Sequence, residues 1–161
     1  MGDNVTMKAK DAVSAKLAEC FVTIGTNRYN FMQMRNFEAK FEKQKQEVPI
    51  LGKTAKGNKS TGWKGTFSAN AYYNQSVMRE MMLKFKDSGE DAYFDIQITN
   101  EDPTSAAGRQ TMTFIDCNID GGTLAKFDIT SDDPLSEDIN GTFEDFKMPE
   151  KFNLLDGMLT Q

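Results

Sequence analysis

The sequence has no histidine in 161 residues, only two cysteines and a single tryptophan. Without imidazole, Ser-His-Asp and Cys-His catalysis, His-ligated metals and imidazole acid–base steps are all excluded. Cys20 and Cys117 stand alone in strand-like segments, which predicts two buried reduced thiols rather than a disulfide or a zinc site. Carboxylate-pair or lysine chemistry stays open, although the spacing indicates no convergent acid pair.

Long apolar runs are also absent. No run approaches the eighteen or so apolar residues of a membrane helix, and the first dozen residues lack the apolar segment of a signal peptide. The composition predicts a soluble protein whose length suits one domain with arms. We expect an N-terminal arm over 1–16, a β domain over 17–152, and a C-terminal tail over 153–161 that packs on its own body or on a neighbour.

Positive charge predominates in the first half of the chain and negative charge in the second half. Residues 1–86 hold 15 Lys/Arg and 7 Asp/Glu, whereas residues 87–150 hold 3 and 16, within a net charge of −5. One interpretation is a soluble surface with uneven charge. The other is that basic and acidic surfaces of neighbouring copies meet head to tail, which makes rings or open stacks.

A long hairpin over 37–73 dominates the pattern. Apolar and polar residues alternate over 37–42 and again over 63–73, as in strands with one packed face and one wet face. The fourteen residues Pro49 to Gly62 between them are too many for a tight turn and predict a functional or mobile loop. Either the hairpin projects into solvent, or its edges pair with copies of the same chain.

The rest of the chain predicts a mainly β (α+β) fold with one helix at about 75–87. Val77, Met78, Met81, Met82 and Phe85 recur at helical spacing and predict core packing. An acidic connector is expected over 131–138, and Pro149 is expected to end the last strand. The predicted strands outside the hairpin are 17–24, 29–34, 92–99, 109–119, 123–129 and 139–146.

Three apparent ligand sites do not fit known patterns. The lysine-bearing loop 49–62 lacks the glycine and lysine spacing of a phosphate-binding loop. The acidic segment 131–138 lacks the Asp/Asn/Gly order of a calcium loop. Trp63, Tyr72 and Tyr73 lie near lysines, but packing against the helix is favoured over stacking on nucleic acid bases.

Several segments resemble a known family. These are V-P-I-L-G at 48–52, D-A-Y-F-D-I-Q at 91–97, G-R-Q-T-M-T-F-I-D-C-N-I at 108–119 and F-E-D-F-K-M-P-E-K-F at 143–152. In this order and spacing they resemble the tail tube proteins of contractile (myovirus-type) phage tails. The branch is that of the defective prophage PBSX and the R-type bacteriocins, or tailocins. The resemblance extends from about Leu17 to Phe152.

The resemblance implies an antiparallel β-sandwich or half-barrel with one flanking helix. It also implies rings of six copies whose long hairpins close into one inner β-barrel, with rings stacked into a hollow tube that is driven through the target envelope. The implied partners are other copies of the chain, a sheath outside, a baseplate or initiator, and a tape-measure protein. DNA would pass through the lumen only if a capsid is present. No enzymatic activity and no cofactor are implied.

The resemblance also implies where the particle is assembled and where individual residues lie in the tube. The protein would be made in the bacterial cytoplasm and assembled into a virion tail or tail-like particle released by lysis. Even positions of the hairpin would line the lumen, which tends to be acidic in the family: Glu38, Lys40, Glu42, Gln44, Gln46, Lys64, Thr66, Ser68 and Asn70. The inter-subunit loop would include Pro49, Leu51, Lys53, Lys56, Lys59 and Trp63.

Two alternatives stay open. A tube protein of a type VI secretion system has a related hexamer-forming fold. A small β-sandwich that binds a ligand such as a carbohydrate would instead be a stable monomer with an aromatic-lined groove.

Overall fold

The computed structural model describes residues 6–160, which form a mainly antiparallel β fold with one α-helix, as the sequence predicts. The chain divides into two compact units. The first comprises 6–32, 94–115 and 146–160, and the second comprises 33–93 and 116–145. The elements are β1 (Glu19–Ile24), β2 (Asn27–Asn30), β3 (Met34–Val48), β4 (Gly57–Tyr72), α1 (Val77–Ser88), β5 (Phe94–Glu101), β6 (Arg109–Gly121), β7 (Ser136–Phe143) and β8 (Asp145–Glu150). No helix within 6–160 is long and apolar enough to span a membrane.

The first unit is built around β1, which pairs antiparallel with β2 on one side and β5 on the other. Val22 is completely buried and lies opposite Ile96 of β5. Cys20 and Phe94 lie two residues before Val22 and Ile96 on the same strands, and they are also buried. Side chains two positions apart on a strand point to the same face. Burial raises the pKa of Cys20 to about 12, and the other cysteine, in β6, is also a buried thiol.

The described part of the predicted N-terminal arm is held against this unit. The backbone N–H of Ser14 donates to Asp102 Oδ2 at 2.9 Å, and Ser105 Oγ donates to the carbonyl of Asp11 at 2.9 Å. The hydroxyl of Thr104 donates to Asp102 at 2.6 Å. These bonds hold the pKa of Asp102 below its usual value, with the Thr104 hydroxyl as the largest cause and the Ser14 amide next.

The second unit carries a sheet in the order β6, β7, β4, β3. The β3–β4 hairpin pairs from Met34 opposite Ala71 to Val48 opposite Gly57. Strand β7 pairs with the other side of β4 over eight residues, from Gly65 to Tyr72. Buried side chains of one face are Phe67, Ala69, Ala71, Ile139 and Phe143.

Helix α1 packs in the second unit through Met78 and Met81, which are buried, whereas Phe85 of the predicted core stripe is half exposed. The helix ends at Gly89, whose left-handed φ of 75° lets its N–H donate to the Phe85 carbonyl at 2.8 Å. Arg79 forms an ion pair with the buried Glu137 of β7.

Five features differ from the sequence-based expectation. The predicted strand 29–34 is interrupted at residues 31–33, between β2 and β3. Residues 122–135 form no strand, although 123–129 alternates. The hairpin runs past the predicted ends, so its connection is 49–56 rather than 49–62. The predicted strand 139–146 is replaced by β7 and β8, which break at position 144. Pro149 lies inside β8 rather than ending a strand, as an exposed edge position allows.

Candidate functional site

The β3–β4 hairpin is the candidate site for assembly, and its apolar face fixes its shape. The rings of Phe37 and Phe67 stack with centroids 5.8 Å apart, and those of Phe41 and Trp63 stack at 5.0 Å. Trp63 also meets Phe143 of β7 at 6.1 Å. These cross-strand aromatic contacts set the register of the hairpin. The opposite face therefore presents the even-numbered residues.

The nine residues predicted to line the lumen occupy this opposite, polar face. Directly opposite pairs are Glu38 with Ser68, Lys40 with Thr66, and Glu42 with Lys64. Seven of the nine are exposed, while Thr66 and Asn70 are half-buried. Lys40 Nζ lies 3.5 Å from Glu38 Oε1, and Asn70 donates to Asp138 Oδ1 at 2.9 Å. Acidic and basic side chains thus alternate on this face.

A β-bulge divides the hairpin into two segments. Gln44 lies opposite Gly62, but the next residue, Lys45, lies opposite Ser60, so Thr61 is the extra residue. Its hydroxyl donates to the Gln44 carbonyl at 3.2 Å. Beyond the bulge, odd-numbered residues of β4 point to the polar face.

Two residues predicted in the inter-subunit loop lie instead on β4. The bulge brings Lys59 opposite Gln46 on the polar face. Trp63 lies opposite Lys43, and its ring packs into the apolar face. The sequence carried a signal for Trp63, because it begins the alternation of the second arm. For Lys59 there was none, since both faces are polar around it.

The hairpin tip, residues 49–56, carries the other four predicted loop residues, Pro49, Leu51, Lys53 and Lys56. Leu51 is fully exposed. A turn closes where the Lys53 N–H donates to the Ile50 carbonyl at 3.2 Å, around Gly52 with a φ of 86°. Lys56 lies 3.7 Å from Glu47 in an exposed ion pair. The tip is therefore an ordered turn with an apolar side chain and two ammonium groups in solvent.

The outer edge of β3 is the second notable surface of the hairpin. Within residues 6–160, β3 is the end strand of its sheet and pairs with β4 alone. Fifteen residues, from Met34 to Val48, make up this edge. An edge strand presents unpaired backbone N–H and C=O groups, a template for another strand.

Sequence reasoning missed a third surface, residues 122–135, which we name the β6–β7 connection. Its apolar side chains are exposed: Leu124, Phe127 and Ile129 at 69%, 85% and 87%. The sequence predicted a strand over 123–129 instead, after a turn at Gly121 and Gly122. No group of three or more Cys, Asp or Glu side chains suited to a metal ion occurs among residues 6–160.

This architecture belongs with a known protein family. A family model described as "Phage tail tube protein" matches residues 5–150. The phage-like element PBSX protein XkdM of Bacillus subtilis (strain 168) is 34% identical over 149 residues, covering 92% of this chain and 98% of that protein.

Solved structures share the fold at low sequence identity. A chain in the cryo-EM structure of the anti-feeding prophage baseplate matches with a TM-score of 0.62 at 10% identity, covering 92% of this chain and 97% of that one. A chain in the PVC sheath–tube complex, an extracellular contractile injection system, matches with a TM-score of 0.58 at 13% identity, covering 80% and 86%.

The fold is thus shared with chains of the anti-feeding prophage baseplate and of an extracellular contractile injection system. The chain belongs to the phage tail tube protein family, since the family model spans nearly all of it and a PBSX relative aligns along almost its whole length. The family resemblance expected from the sequence is confirmed. The protein is a structural tail tube subunit rather than an enzyme.

Proposed function

We propose that six copies of this chain form a ring by pairing the outer edge of each β3 with a strand of the next copy, and that rings stack into the tube of a contractile tail. The observation that carries the proposal is the position of the fifteen-residue strand β3 at the end of its sheet among residues 6–160. Closing a sheet into a barrel removes such edges. The cryo-EM structure of the anti-feeding prophage baseplate, which contains a chain of this fold, is 6-fold symmetrised, and this supports the number.

In this arrangement the polar face of the hairpin lines the lumen. The support is the division between a face of stacked aromatic rings and a face of exposed hydrophilic side chains. Glu38 and Glu42 are offset by Lys40 and Lys64, so this wall is mixed in charge rather than acidic.

Partners follow from the class of particle. The PVC structure that shares the fold is a sheath–tube complex, and the anti-feeding prophage structure is a baseplate. By analogy, a sheath surrounds this tube, a baseplate starts it, and a tape-measure protein occupies the lumen during assembly. The particle is assembled in the bacterial cytoplasm and released by lysis, and DNA passes only where a capsid is attached. The PBSX relative favours the phage and tailocin branch over a type VI secretion tube.

Negative-stain electron microscopy of the purified protein, fresh and after concentration, tests the proposal. Rings or hollow tubes are expected. Backbone amide exchange gives the matched measurement, because alternate β3 amides point outward from the hairpin. These outward amides should exchange quickly in the monomer and slowly in the assembled form, whereas the amides bonded to β4 stay protected in both. Rings with a still-exchanging β3 edge would overturn edge pairing, and a monomer at every concentration would count against self-assembly.

A further inference from the structure

The described parts of both ends of the chain form a cleft in the first unit, which we name the terminal cleft. It is lined by residues of the N-terminal segment 6–11, by Ala106 and by residues 155–158 of the tail, and its volume is about 450 Å³. The family match ends at residue 150, so the tail side of this cleft lies outside the matched part of the chain.

A series of hydrogen bonds holds these lining segments together. Ser105 Oγ donates to the Asp11 carbonyl at 2.9 Å and accepts from the Ala107 N–H at 3.1 Å. The Ala107 carbonyl in turn accepts from the Asn153 N–H of the tail at 2.7 Å. The cleft is therefore preformed, and a partner that enters it loses less free energy to ordering of the chain.

The apolar side chains of the cleft are uncovered. Met7 and Met158 are each 66% exposed, although the tail is fixed in a turn where the Met158 N–H donates to the Leu155 carbonyl at 3.0 Å. Methionine side chains adapt their shape to a partner. The cleft is thus suited to receive other apolar side chains.

Two lysines make the N-terminal side of the cleft basic. Lys8 and Lys10 are exposed, and neither forms an ion pair within residues 6–160. Of the two acidic residues at the cleft, Asp11 accepts the Lys8 N–H at 3.2 Å, and Asp156 is exposed on the tail. The segment 6–11 therefore offers two ammonium groups to an acidic partner.

The β6–β7 connection has the complementary composition. Phe127 and Ile129 are more than four-fifths exposed, and Asp132 and Asp133 follow them at exposed positions. Neither aspartate forms an ion pair within the described part of the chain. The one basic residue of the segment, Lys126, is engaged by donating to a carbonyl of β7 at 2.7 Å.

Local bonds also hold this connection in a fixed shape. Tyr73 Oη donates to the Leu124 carbonyl at 3.3 Å, and both the N–H and the hydroxyl of Thr130 donate to Asp128 Oδ1, at 3.0 and 2.6 Å. The exposed apolar side chains therefore sit on an ordered backbone. Within one copy the cleft and the connection leave each other uncovered, so each is available to another copy.

We propose that the terminal cleft of one copy receives the β6–β7 connection of a neighbouring copy. This inference rests on the self-assembly proposed above and assigns the tail a part in it. Phe127 and Ile129 enter the cleft, while the two aspartates that follow them face Lys8 and Lys10. Covering apolar surface supplies most of the affinity, and the charges fix the orientation and exclude wrong contacts. Because the contact joins two different surfaces, each copy offers one to the copy before it and the other to the copy after it.

Charge reversal tests the contact. The cleft variant Lys8→Glu/Lys10→Glu and the connection variant Asp132→Lys/Asp133→Lys should each assemble only at about tenfold higher protein concentration, because like charges then face each other. An equal mixture of the two should assemble at the wild-type concentration. In the mixture the acidic cleft of the first variant meets the basic connection of the second, and the remaining two surfaces are native. Sedimentation over a series of concentrations measures the assembled fraction.

The control Lys84→Glu/Lys147→Glu reverses two exposed lysines outside both surfaces and should assemble as the wild type does. Assembly of both test variants at the wild-type concentration, or a mixture that is not restored, would overturn the contact while leaving the tube assignment intact. A wild-type chain that does not assemble at any concentration would instead contradict the proposed function itself.

Photocrosslinking identifies the contact directly. With Phe127 replaced by p-benzoylphenylalanine, crosslinks between isotope-labelled and unlabelled copies should map to residues 6–11 and 155–158. The same group in place of Leu83, which is half exposed on α1, should not reach these segments. Crosslinks from position 127 that map only to other surfaces would show that the connection docks elsewhere.

Discussion

The ring of Phe143 lies over Gly65, its direct partner across β4 and β7, in the space that a side chain at Gly65 would fill. The next apolar pair along the ladder repeats the arrangement in reverse, with the ring of Phe67 over Gly141. Each glycine thus accommodates the aromatic ring of the opposite strand. Together these two pairs fix the register of β7 against the hairpin, because a shift of one residue would place a ring where no glycine lies.

Alanine at Gly141 should destabilise the protein more than alanine at Gly65. At Gly141 the added methyl group would overlap both the Phe67 ring and the backbone carbonyl of Asn118, whereas at Gly65 it would overlap only a ring that is able to move. Overpacking of this kind costs about 1–3 kcal/mol. Urea denaturation measures the loss. Gly121→Ala is the control, because no atom lies within 4 Å of its added methyl group.

Removing one partner of the Arg79–Glu137 pair should be costly. Glu137 is buried, and the Arg79 guanidinium also lies 4.3 Å above the ring of Tyr73. Arg79→Ala leaves a buried carboxylate without its counterion, which costs about 3–5 kcal/mol in a fully buried pair and less here, since Arg79 is partly exposed. In thermal denaturation, the double variant Arg79→Met/Glu137→Leu should be more stable than Arg79→Met alone or Glu137→Leu alone. Additive losses would contradict this coupling.

The anchoring of the N-terminal segment should weaken in acid. The folded-state pKa of Asp102 is depressed, so its contribution to stability is fully present above its ordinary value of 3.8 and is lost as the pH falls through the depressed value. Amide exchange at Ser14, which donates to this carboxylate, should accelerate over that range. In Asp102→Asn the Ser14 amide should exchange quickly at every pH. An unchanged acid profile in this variant would show that another group is responsible.

Neither thiol should react in the native state. Cys20 has its pKa raised to about 12 by burial, and Cys117 is completely buried, so little thiolate is exposed at neutral pH. Ellman's reagent should detect no thiol in the folded protein and both after denaturation. Rapid titration of one thiol in the native protein would mean that its surroundings open.

Because the two native thiols should not react, a single introduced cysteine tests whether the polar face lines the lumen. Ser68→Cys places a thiol on the exposed polar face of the hairpin. In the monomer both a small maleimide and a large polyethylene-glycol maleimide should modify it. In assembled tubes the small reagent should still react through the open ends while the large one should not. Equal modification by both reagents in tubes would place this face outside.

The sequence predicted the hairpin where its side chains alternate, over 37–42 and 63–73, because alternation reports which face is covered. It did not predict pairing over 57–62, where both faces are polar and the side chains do not alternate. The opposite error occurred at 123–129, which alternates without pairing. Asp128 bends the chain there by accepting bonds from Thr130. Alternation of side chains shows which face of a strand is covered. It does not show whether another strand lies alongside to form backbone hydrogen bonds.

The helix was predicted within two residues at each end, since its stripe and the glycine after it are local signals. The candidate site was predicted less well. The polar face followed from alternation, but the bulge at Thr61 that carries Lys59 to that face has no signature in the sequence. The exposed β6–β7 connection was likewise invisible, because exposure of an apolar side chain depends on what the rest of the fold leaves uncovered.

The eight-residue ladder between β4 and β7 has a mechanical consequence. A force directed along β4 loads its hydrogen bonds in shear, so they must yield together rather than open one after another from an end. The part of the hairpin between Gly65 and the tip extends past the end of β7. It is anchored to the sheet through this ladder. A subunit loaded along the β4 direction would therefore transmit the force through its strands before the strands separated.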